Sequence, residues 1–322
     1  MHPPLVLRSP YLLAPMAGFT TSGVRRLLLE QGAGAASTGL VDAEGLARQS
    51  PGSLRRAARE AAPGPQILQL FANQPEILRQ AAALAAPLGF QGVELNLGCP
   101  AAPLVARGCG GALLGRWPEL RELLMVLRDA SGLPAGIKCR SGQLPGDGQF
   151  LILHELAAEA GLDWFCLHPR SLSGAYVEQP DWSLLDHLPA GGPRLWAVGD
   201  LRTAAEAQAA LAAHPGLEAV LIGRAALTLP WIFRLCRGEA APAPREGAEL
   251  LAALLRSLVA DLDWQEARRL LPGLLGHLGL PADEAAAFRL ADRRRLPEWI
   301  DLLERQLAEG PPPPITGNPF LR

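Results

Sequence analysis

The sequence predicts an α/β fold of the TIM-barrel type, a closed (β/α)8 barrel of parallel strands, followed by a small C-terminal all-α helical domain. Two patterns predict the barrel. Up to about residue 235, short apolar runs alternate with longer amphipathic segments, as they do in consecutive βα units. A polar or reactive side chain follows nearly every apolar run, and in a barrel these positions meet at the active-site end of the strands.

Each predicted strand is a short apolar run, and each predicted helix carries apolar residues at helical spacing. The predicted strands are, in order, Tyr11–Ala14, Ala36–Val41, Gln66–Phe71, Gly92–Asn96, Ala135–Cys139, Trp164–His168, Leu195–Val198 and Ala219–Ile222. Helices are predicted between them at Ser22–Gln31, Pro75–Pro87, Pro118–Ala130, Gln149–Ala160 and Thr203–Ala213. An open, doubly wound sheet is the alternative fold. It would carry a GxGxxG turn after its first strand, whereas Pro15-Met16-Ala17-Gly18 stands there.

The chain changes character after the last predicted strand. Residues 1–238 are predicted to form the barrel domain, and the Ala- and Pro-rich segment Gly238–Pro244 is typical of a linker. Helical periodicity without strand-like runs then predicts a helical domain of three or four helices over residues 245–310. The proline-rich residues 311–322 are predicted to form an extended tail.

Composition limits the classes of function. The formal net charge is -2, so a nucleic-acid partner would need local arginine clusters such as Arg268-Arg269 and Arg293-Arg294-Arg295. The five cysteines are odd in number and form no CxxC pair, which favours reduced thiols over disulfides or a zinc site. Since no segment has the pattern of a signal peptide or a membrane span, we expect a cytoplasmic protein with no membrane attachment and no metal.

Lys138 is the only lysine among 30 basic residues. Arginine stands at every other basic position, so the remaining lysine indicates a site where a planar guanidinium cannot replace a compact ammonium. The apolar run Ala135–Cys139 around it indicates that the charge meets a ligand. The alternative is a solvated lysine on the surface.

Cys99 lies in the motif Glu94-Leu95-Asn96-Leu97-Gly98-Cys99-Pro100. A strand delivers Asn96 to the barrel mouth, and the glycine turn then places the thiol in a loop over that mouth. A thiol in this position can act as a nucleophile or as a proton donor. The other four cysteines are expected to be small buried hydrophobes.

Further strand ends supply candidates for holding an anionic ligand. Gly199-Asp200 and Gly223-Arg224 follow the seventh and eighth predicted strands. In barrels these two loops commonly bind a phosphate through backbone N–H groups and a basic side chain, which predicts Arg224 as the phosphate ligand. His168 and Arg170 end the sixth strand, where they can contact a ligand or join a polar network.

As a set, these motifs resemble the dihydrouridine synthases. The resemblance covers about residues 11–235, and the motifs occur in the family's order and at similar spacing. They are Ala14–Gly18, Gln69–Phe71, Glu94–Pro100, Gly108–Leu114, Ile137–Arg140, His168–Ser171, Gly199-Asp200 and Ile222–Arg224. The C-terminal region resembles the family's tRNA-binding domain. General similarity favours the bacterial branch that modifies U16 in the D-loop.

The resemblance implies an enzyme that reduces uridine in tRNA to 5,6-dihydrouridine. NADPH (or NADH) would reduce FMN, hydride would pass from FMN to C6, and Cys99 would protonate C5. The residues that the resemblance assigns to the cofactor are Pro15, Met16, Ala17, Gln69, Lys138, His168, Gly199, Asp200, Gly223 and Arg224. Those assigned to the substrate are Asn96, Arg140, Arg170 and Arg268. The expected partners are tRNA and NAD(P)H, and we expect a monomer.

Three motifs depart from the family's pattern. Gly39 stands where the family usually has the glutamate of Thr-Glu, Val198 replaces the asparagine of Asn-Gly-Asp, and His168-Pro169-Arg170-Ser171 stands in place of His-Gly-Arg-Thr. These departures predict a divergent member with altered substrate choice. Two alternatives stay open: an FMN barrel acting on a small molecule, and an RNA-binding member with reduced catalysis. The helical domain disfavours the first, and the presence of Cys99 and Lys138 disfavours the second.

Overall fold

The structure is a computed structural model that describes residues 2–174 and 177–278, together with residues 297, 298, 300–302 and 305. The predicted tail over residues 311–322 and the cluster Arg293-Arg294-Arg295 lie outside the described residues, as does most of the predicted helical domain beyond residue 278.

Nine parallel strands form one sheet that closes on itself. They are β1 Tyr11–Leu13, β2 Ala36–Ser37, β3 Val41–Asp42, β4 Gln66–Phe71, β5 Gly92–Leu97, β6 Ala135–Gly142, β7 Trp164–Ser171, β8 Arg194–Val198 and β9 Leu217–Ile222. Neighbours follow the order β2-β1-β9-β8-β7-β6-β5-β4-β3, and β2 also pairs with β4, which closes the ring. Since β2 and β3 share one position in the ring, the predicted barrel of eight parallel positions is confirmed.

Helices occupy the connections, and two longer helices follow the barrel. The described α-helices are α1 Ser22–Glu30, α2 Ala43–Ala47, α3 Pro51–Arg56, α4 Pro75–Ala83, α5 Ala102–Ala106, α6 Trp117–Ala130, α7 Gln149–Glu159, α8 Ala204–Ala213, α9 Ala225–Thr228, α10 Ile232–Cys236, α11 Pro244–Asp261 and α12 Trp264–His277. Short 3-10 helices cover Gly110–Leu113 and Trp182–His187. The predicted helices therefore lie where the structure has α1, α4, α6, α7 and α8.

The predicted strand Ala36–Val41 is wrong in its extent, because the chain leaves the sheet between β2 and β3. The Thr38 side-chain Oγ1 accepts a hydrogen bond from the backbone N–H of Gln69 at 2.9 Å, at a point where a continuous strand would offer a backbone acceptor. The next residue, Gly39, lies so close to the loop after β1 that a Cβ atom would be 3.2 Å from the carbonyl oxygen of Met16. The break lets that loop approach the barrel wall.

Two strands are longer than predicted. The expected ends at Cys139 and His168 are both passed, since β6 continues to Gly142 and β7 to Ser171. Arg140 and Arg170 consequently belong to the barrel wall and not to the loops that follow.

Alternation along the strands separates two cores. Residues that point outward pack under the helices in the larger core, and residues that point inward fill the barrel. The inward group includes Leu12, Ile67, Trp164, Cys166, Trp196 and Leu221. The rings of Trp164 and Trp196 stack with their centroids 4.9 Å apart. Gly136 faces Trp164, where any Cβ atom would overlap the indole, so the interior at this level is closed by aromatic packing.

The C-terminal helices α11 and α12 pack against the barrel. Thr21, the N-cap residue of α1, makes no capping hydrogen bond with its side chain. Instead, Asp261 at the end of α11 accepts a hydrogen bond from the Gly23 N–H at 2.7 Å and caps α1 from outside. Helix α12 reaches the loop after β1, where Leu270 fills the space that a side chain at Gly18 would need. This contact places α12 beside the mouth of the barrel.

Candidate active site

Polar side chains gather at the carboxyl ends of four consecutive strands. Strand register pairs Gln69 with Glu94, Asn96 with Lys138, and Arg140 with His168. Successive strand residues point to opposite faces of the sheet, and Trp164 and Cys166 on β7 face inward. His168 therefore also faces inward, since it lies two residues after Cys166. Lys138 on β6 faces inward as well, because it is paired in register with Cys166. The structure thus brings the sequence-predicted residues of β4 to β7 together at one end of the barrel.

Hydrogen bonds join Asn96 to the loop that carries Cys99. The Asn96 Oδ1 accepts from the backbone N–H groups of Gly98 at 3.2 Å and of Cys99 at 3.0 Å. Its Nδ2 donates to the Gln69 Oε1 at 3.1 Å. The carbonyl oxygen of Cys99 accepts from the N–H of Gly111, so the segment Gly108–Leu114 holds the same turn from the other side. Asn96 therefore orients the loop as well as facing the mouth.

Cys99 is the accessible thiol of the chain. All five cysteines are described and free, and Cys99 is half-buried, whereas the other four are buried, as predicted. Burial raises the pKa of each of those four thiols, which are Cys109, Cys139, Cys166 and Cys236. Reaction with a molecule at the barrel mouth is consequently open to Cys99 and closed to the buried thiols.

Lys138 is half-buried and points into the barrel mouth. Its charge acts on the buried Glu94 and on His168. Among the residues that the structure describes, the ammonium makes neither a hydrogen bond nor an ion pair. An inward ammonium that the described residues leave without a partner is suited to an anionic or electron-rich ligand.

Arginine side chains converge on Asp200 at the ends of β7, β8 and β9. The Arg170 guanidinium donates to both oxygens of Asp200, at 3.1 and 2.5 Å, and Arg224 Nη2 donates to Oδ1 at 2.5 Å. Arg202 lies 3.9 Å from Oδ2. Among the described residues, the one carboxylate of Asp200 is thus shared by three guanidinium groups. Burial alone would raise the pKa of Asp200, but the Arg170 hydrogen bond and the charges of Arg170, Arg224 and Arg202 together lower it.

The backbone at the Asp200 cluster is specialised. Asp200 itself has a φ of 48°, in the left-handed region that Asn, Asp and Gly tolerate best. A Cβ atom at Gly199 would lie 2.9 Å from Pro180, and one at Gly223 would lie 3.5 Å from Ala14 Cβ and Met16 Sδ. The loop after β8 therefore lies against the loop after β7, and the loop after β9 lies against the loop after β1, next to the predicted phosphate ligand.

His168 is held neutral by its surroundings. Burial, followed by the positive charges of Lys138, Arg140, Arg170 and Arg224, lowers the pKa of His168 well below its ordinary 6.5. An arginine can only donate, so the 3.4 Å approach of Arg170 Nη1 to His168 Nε2 leaves Nε2 as the acceptor. The proton of the neutral ring is consequently on Nδ1.

This lowered pKa predicts an acid-sensitive fold. Below pH 6.5 the unfolded state binds a proton at His168 that the folded state does not bind, so the free energy of unfolding falls as pH falls. The slope due to one group is at most about 1.4 kcal/mol per pH unit. His168→Asn is expected to remove this part of the slope in urea unfolding between pH 8 and 5. The exposed His187 gives the control, because His187→Asn should leave the slope unchanged.

Arg140 and Arg170, predicted to contact the substrate, are deeply buried. Arg140 is 1% exposed and donates to the carbonyl oxygens of Gly98 at 3.1 Å and Ser171 at 2.7 Å. Arg170 is 2% exposed and also donates to the carbonyl oxygen of Glu178 at 2.6 Å. Both side chains bind the loops around the mouth to one another. Their contact with a substrate stays a prediction.

Sequence reasoning assigned no role to Glu94, although it lies at the base of the site. Its side chain is fully buried inside the barrel and accepts hydrogen bonds from Gln69 Nε2 at 2.6 Å and Trp164 Nε1 at 2.9 Å. The signal was present in the sequence, since a glutamate interrupts the apolar run Gly92–Leu97 at an inward position. A buried carboxylate in a strand requires donors, and these were not identifiable before the fold was known.

Two further observations on the described residues concern membrane spans and metal sites. No α-helix among them is long and apolar enough to cross a membrane. Within the same part of the chain, no group of three or more His, Cys, Asp or Glu side chains is arranged to hold a metal ion.

Comparison with known proteins points to one family. The family model "Dihydrouridine synthase (Dus)" matches residues 12–269. The protein named tRNA-dihydrouridine synthase B from Pseudomonas putida is 30% identical over 245 residues, covering 74% of this chain and 72% of that protein. Its namesake from Pseudomonas aeruginosa is 30% identical over 260 residues, or 78% of each chain.

Solved structures share the architecture at low identity. Histamine dehydrogenase from Rhizobium sp. 4-9 is 12% identical with a TM-score of 0.55, over 78% of this chain and 49% of that one. Morphinone reductase is 17% identical with a TM-score of 0.52, over 74% of this chain and 88% of that one. At such identities the likeness concerns the fold alone.

Proposed function

The chain belongs to the dihydrouridine synthase family, and from this premise we propose that it reduces uridine to 5,6-dihydrouridine in the D-loop of tRNA, with FMN as the resident cofactor and NADPH or NADH as the reductant. One observation carries the proposal. The chain's accessible thiol, on Cys99, and its single lysine, Lys138, belong to the same barrel mouth as a cluster of arginines around Asp200.

The described residues fit an anionic flavin nucleotide. The Lys138 ammonium has no protein acceptor among them, and three guanidinium groups surround the one carboxylate of Asp200. We assign the phosphate to Arg224 with the backbone of Gly199, Asp200 and Gly223. These are the loops after β8 and β9, where barrels commonly bind phosphate.

We assign the ring of the cofactor to the residues nearer Lys138. They are Pro15, Met16, Ala17, Gln69, Lys138 and His168. When bound, FMN supplies the hydride that C6 of the uracil receives. A positive charge at Lys138 favours negative charge on the neighbouring ring, and the neutral His168 adds no further charge beside it.

Cys99 is the proton donor in this proposal. The thiol gives its proton to C5 while C6 gains hydride, so the uracil gains both hydrogens and Cys99 is left as a thiolate that bulk water reprotonates. Asn96 faces the same mouth, and we assign it to the uracil. Its Oδ1 is already bound by the N–H groups of Gly98 and Cys99, which leaves an N–H of its Nδ2 for the base.

Helix α12 is our candidate for contact with the tRNA backbone. It lies beside the mouth through the contact of Leu270 with Gly18, and it carries Arg268 and Arg269. The Nε of Arg268 is buried without a partner among the described residues, and its Nη2 donates to Gln265. A uridine must leave its stack to enter a barrel mouth, and basic groups beside the mouth can hold the phosphates on either side of it.

The departure at Gly39 has a structural counterpart. A Cβ atom at this position would be 3.2 Å from Met16 O and 3.4 Å from Ala17 Cα, so the loop after β1 lies against the place where relatives usually carry a glutamate. We propose that a substrate contact made there by other members is replaced by the loop itself. The modified position, which general similarity places at U16, stays a prediction, as do the monomeric state and the cytoplasmic location.

Two measurements test the proposal. The purified protein should be yellow or take up FMN, and its flavin absorbance should bleach under NADPH or NADH. A strain lacking the gene should lose dihydrouridine at one tRNA position, and the wild-type gene should restore it. A protein that cannot be loaded with FMN, or a deletion strain whose tRNAs all keep their dihydrouridine, would contradict the proposal. Reduction of a small enoate without any effect on tRNA would favour the small-molecule alternative.

A further inference from the structure

We propose that Glu94 is a positioning residue whose carboxylate sets the orientation of the Gln69 and Asn96 amides and, through them, the conformation of the Cys99 loop. The importance of that loop rests on the function proposed above. The hydrogen-bond chain itself is a property of the fold, so it can be tested separately from uridine reduction.

At the Trp164 end of this chain of hydrogen bonds, the donor and acceptor roles are fixed. The indole N–H of Trp164 can only donate, and it donates to Glu94 Oε2 at 2.9 Å. The other oxygen, Oε1, accepts from Gln69 Nε2 at 2.6 Å. Glu94 is fully buried, so each of its oxygens needs such a donor. A carboxylate meets both requirements because both of its ends are acceptors.

The donor and acceptor roles are also fixed at the other end of the chain, at the backbone of Gly98 and Cys99. The backbone N–H groups of Gly98 and Cys99 can only donate, so Asn96 must present its oxygen to them. Its nitrogen then faces Gln69, whose Oε1 accepts at 3.1 Å, and the Gln69 nitrogen faces Glu94. Every donor in the chain meets an acceptor only if the group at position 94 accepts at both ends.

Charge supports the same arrangement. Burial raises the pKa of Glu94 overall, and the hydrogen bonds from Trp164 and Gln69 and the charge of Lys138 limit that rise. The positive charge of Lys138 thus favours the carboxylate form of Glu94, in which both oxygens accept. The ammonium does not occupy either oxygen, since it has no hydrogen bond to the described residues.

Replacing Glu94 with the isosteric glutamine disrupts this order of donors and acceptors. In Glu94→Gln one end of the side chain becomes a donor. If it meets the indole N–H, two donors face each other. If it meets Gln69, then Gln69 and Asn96 must both turn over, and the Asn96 nitrogen opposes the N–H groups of Gly98 and Cys99. Removing the indole donor with Trp164→Phe relieves the conflict, because the new amide can then turn its nitrogen toward the phenyl ring and its oxygen toward Gln69.

The experiment is a double-mutant cycle with two readouts on the full-length protein. The first is the rate at which DTNB modifies Cys99, which is distinguishable because the other four thiols are buried. The second is dihydrouridine formation at saturating tRNA in the FMN-loaded enzyme. Glu94→Gln should raise the thiol rate at least fivefold and lower the turnover at least tenfold. Glu94→Gln/Trp164→Phe should return both to within about twofold of Trp164→Phe.

The outcomes separate this inference from the proposed function. If the double variant is as impaired as Glu94→Gln, or if Glu94→Gln changes neither readout, the positioning role is overturned. If the thiol rates follow the prediction but the wild type forms no dihydrouridine, the positioning role stands and the proposed function fails. Should Glu94→Gln not fold, Glu94→Gln/Trp164→Phe is compared with Glu94→Met/Trp164→Phe. The first keeps an acceptor for Gln69 and should retain the thiol rate of Trp164→Phe, whereas equal rates in the two would overturn the role.

Discussion

Replacing Cys99 with alanine is expected to slow dihydrouridine formation by a factor of about 10² to 10⁴, the usual contribution of a positioned proton donor. Flavin content and folding should be unchanged, because the protein holds this loop through the backbone of Cys99 and not through its thiol. The residue's N–H donates to Asn96 Oδ1, and its carbonyl oxygen accepts from Gly111. The measurement is single-turnover formation of dihydrouridine in unmodified tRNA, with the flavin spectrum recorded on the same sample.

Cys109 supplies the matched control. It lies in the same stretch of loop, but it is 2% exposed, its Sγ lies 3.7 Å from the carbonyl oxygen of Arg107, and burial raises its pKa. Cys109→Ala should therefore retain the wild-type rate within a fewfold. Rapid turnover by Cys99→Ala would remove the thiol from the mechanism and would direct the search for the proton donor to other groups at the mouth.

The sequence was informative about the barrel because the fold repeats one local pattern. Apolar runs separated by amphipathic helices specify βα units one at a time, and each unit can be recognised without its neighbours. The prediction failed at Ala36–Val41, where the decisive contacts come from elsewhere in the chain. The Gln69 N–H bonds to the Thr38 side chain, and the loop around Met16 packs against Gly39. Neither contact leaves a trace in the local sequence.

The candidate site, like the fold, was only partly predictable from the sequence. Residue types at strand ends predicted Cys99, Lys138 and the arginines as members of one mouth, since all strands of a parallel barrel end on the same face. Their partners depend on the register between strands. The donors that make a buried Glu94 tolerable lie on β4 and β7, and the carboxylate that binds Arg170 and Arg224 lies in the loop after β8. Such pairings become evident only when the strands are placed side by side.

The Asp200 cluster gives the largest expected effect on stability. Arg170 is 2% exposed and its guanidinium binds both oxygens of Asp200, so Asp200→Asn leaves a buried charge without its counterion. Removing one partner of a buried pair typically costs about 3–5 kcal/mol, and we expect the lower end because asparagine keeps one acceptor oxygen. Asparagine also tolerates the left-handed φ of 48° at this position, so the substitution tests the charge and not the backbone.

The same substitution tests where the phosphate binds. Without the Asp200 carboxylate, Arg170 and Arg224 lose the charged acceptor that they share, and an added dianion can take the carboxylate's place. Inorganic phosphate should therefore raise the thermal midpoint of Asp200→Asn more than that of the wild type. Arg202→Gln is the control, since Arg202 is largely exposed and lies 3.9 Å from Asp200, and its loss should cost less than about 1 kcal/mol. If phosphate raised the thermal midpoint equally in the wild type, Asp200→Asn and Arg202→Gln, the anion would bind elsewhere. Arg224 would then not be the ligand of the cofactor's phosphate.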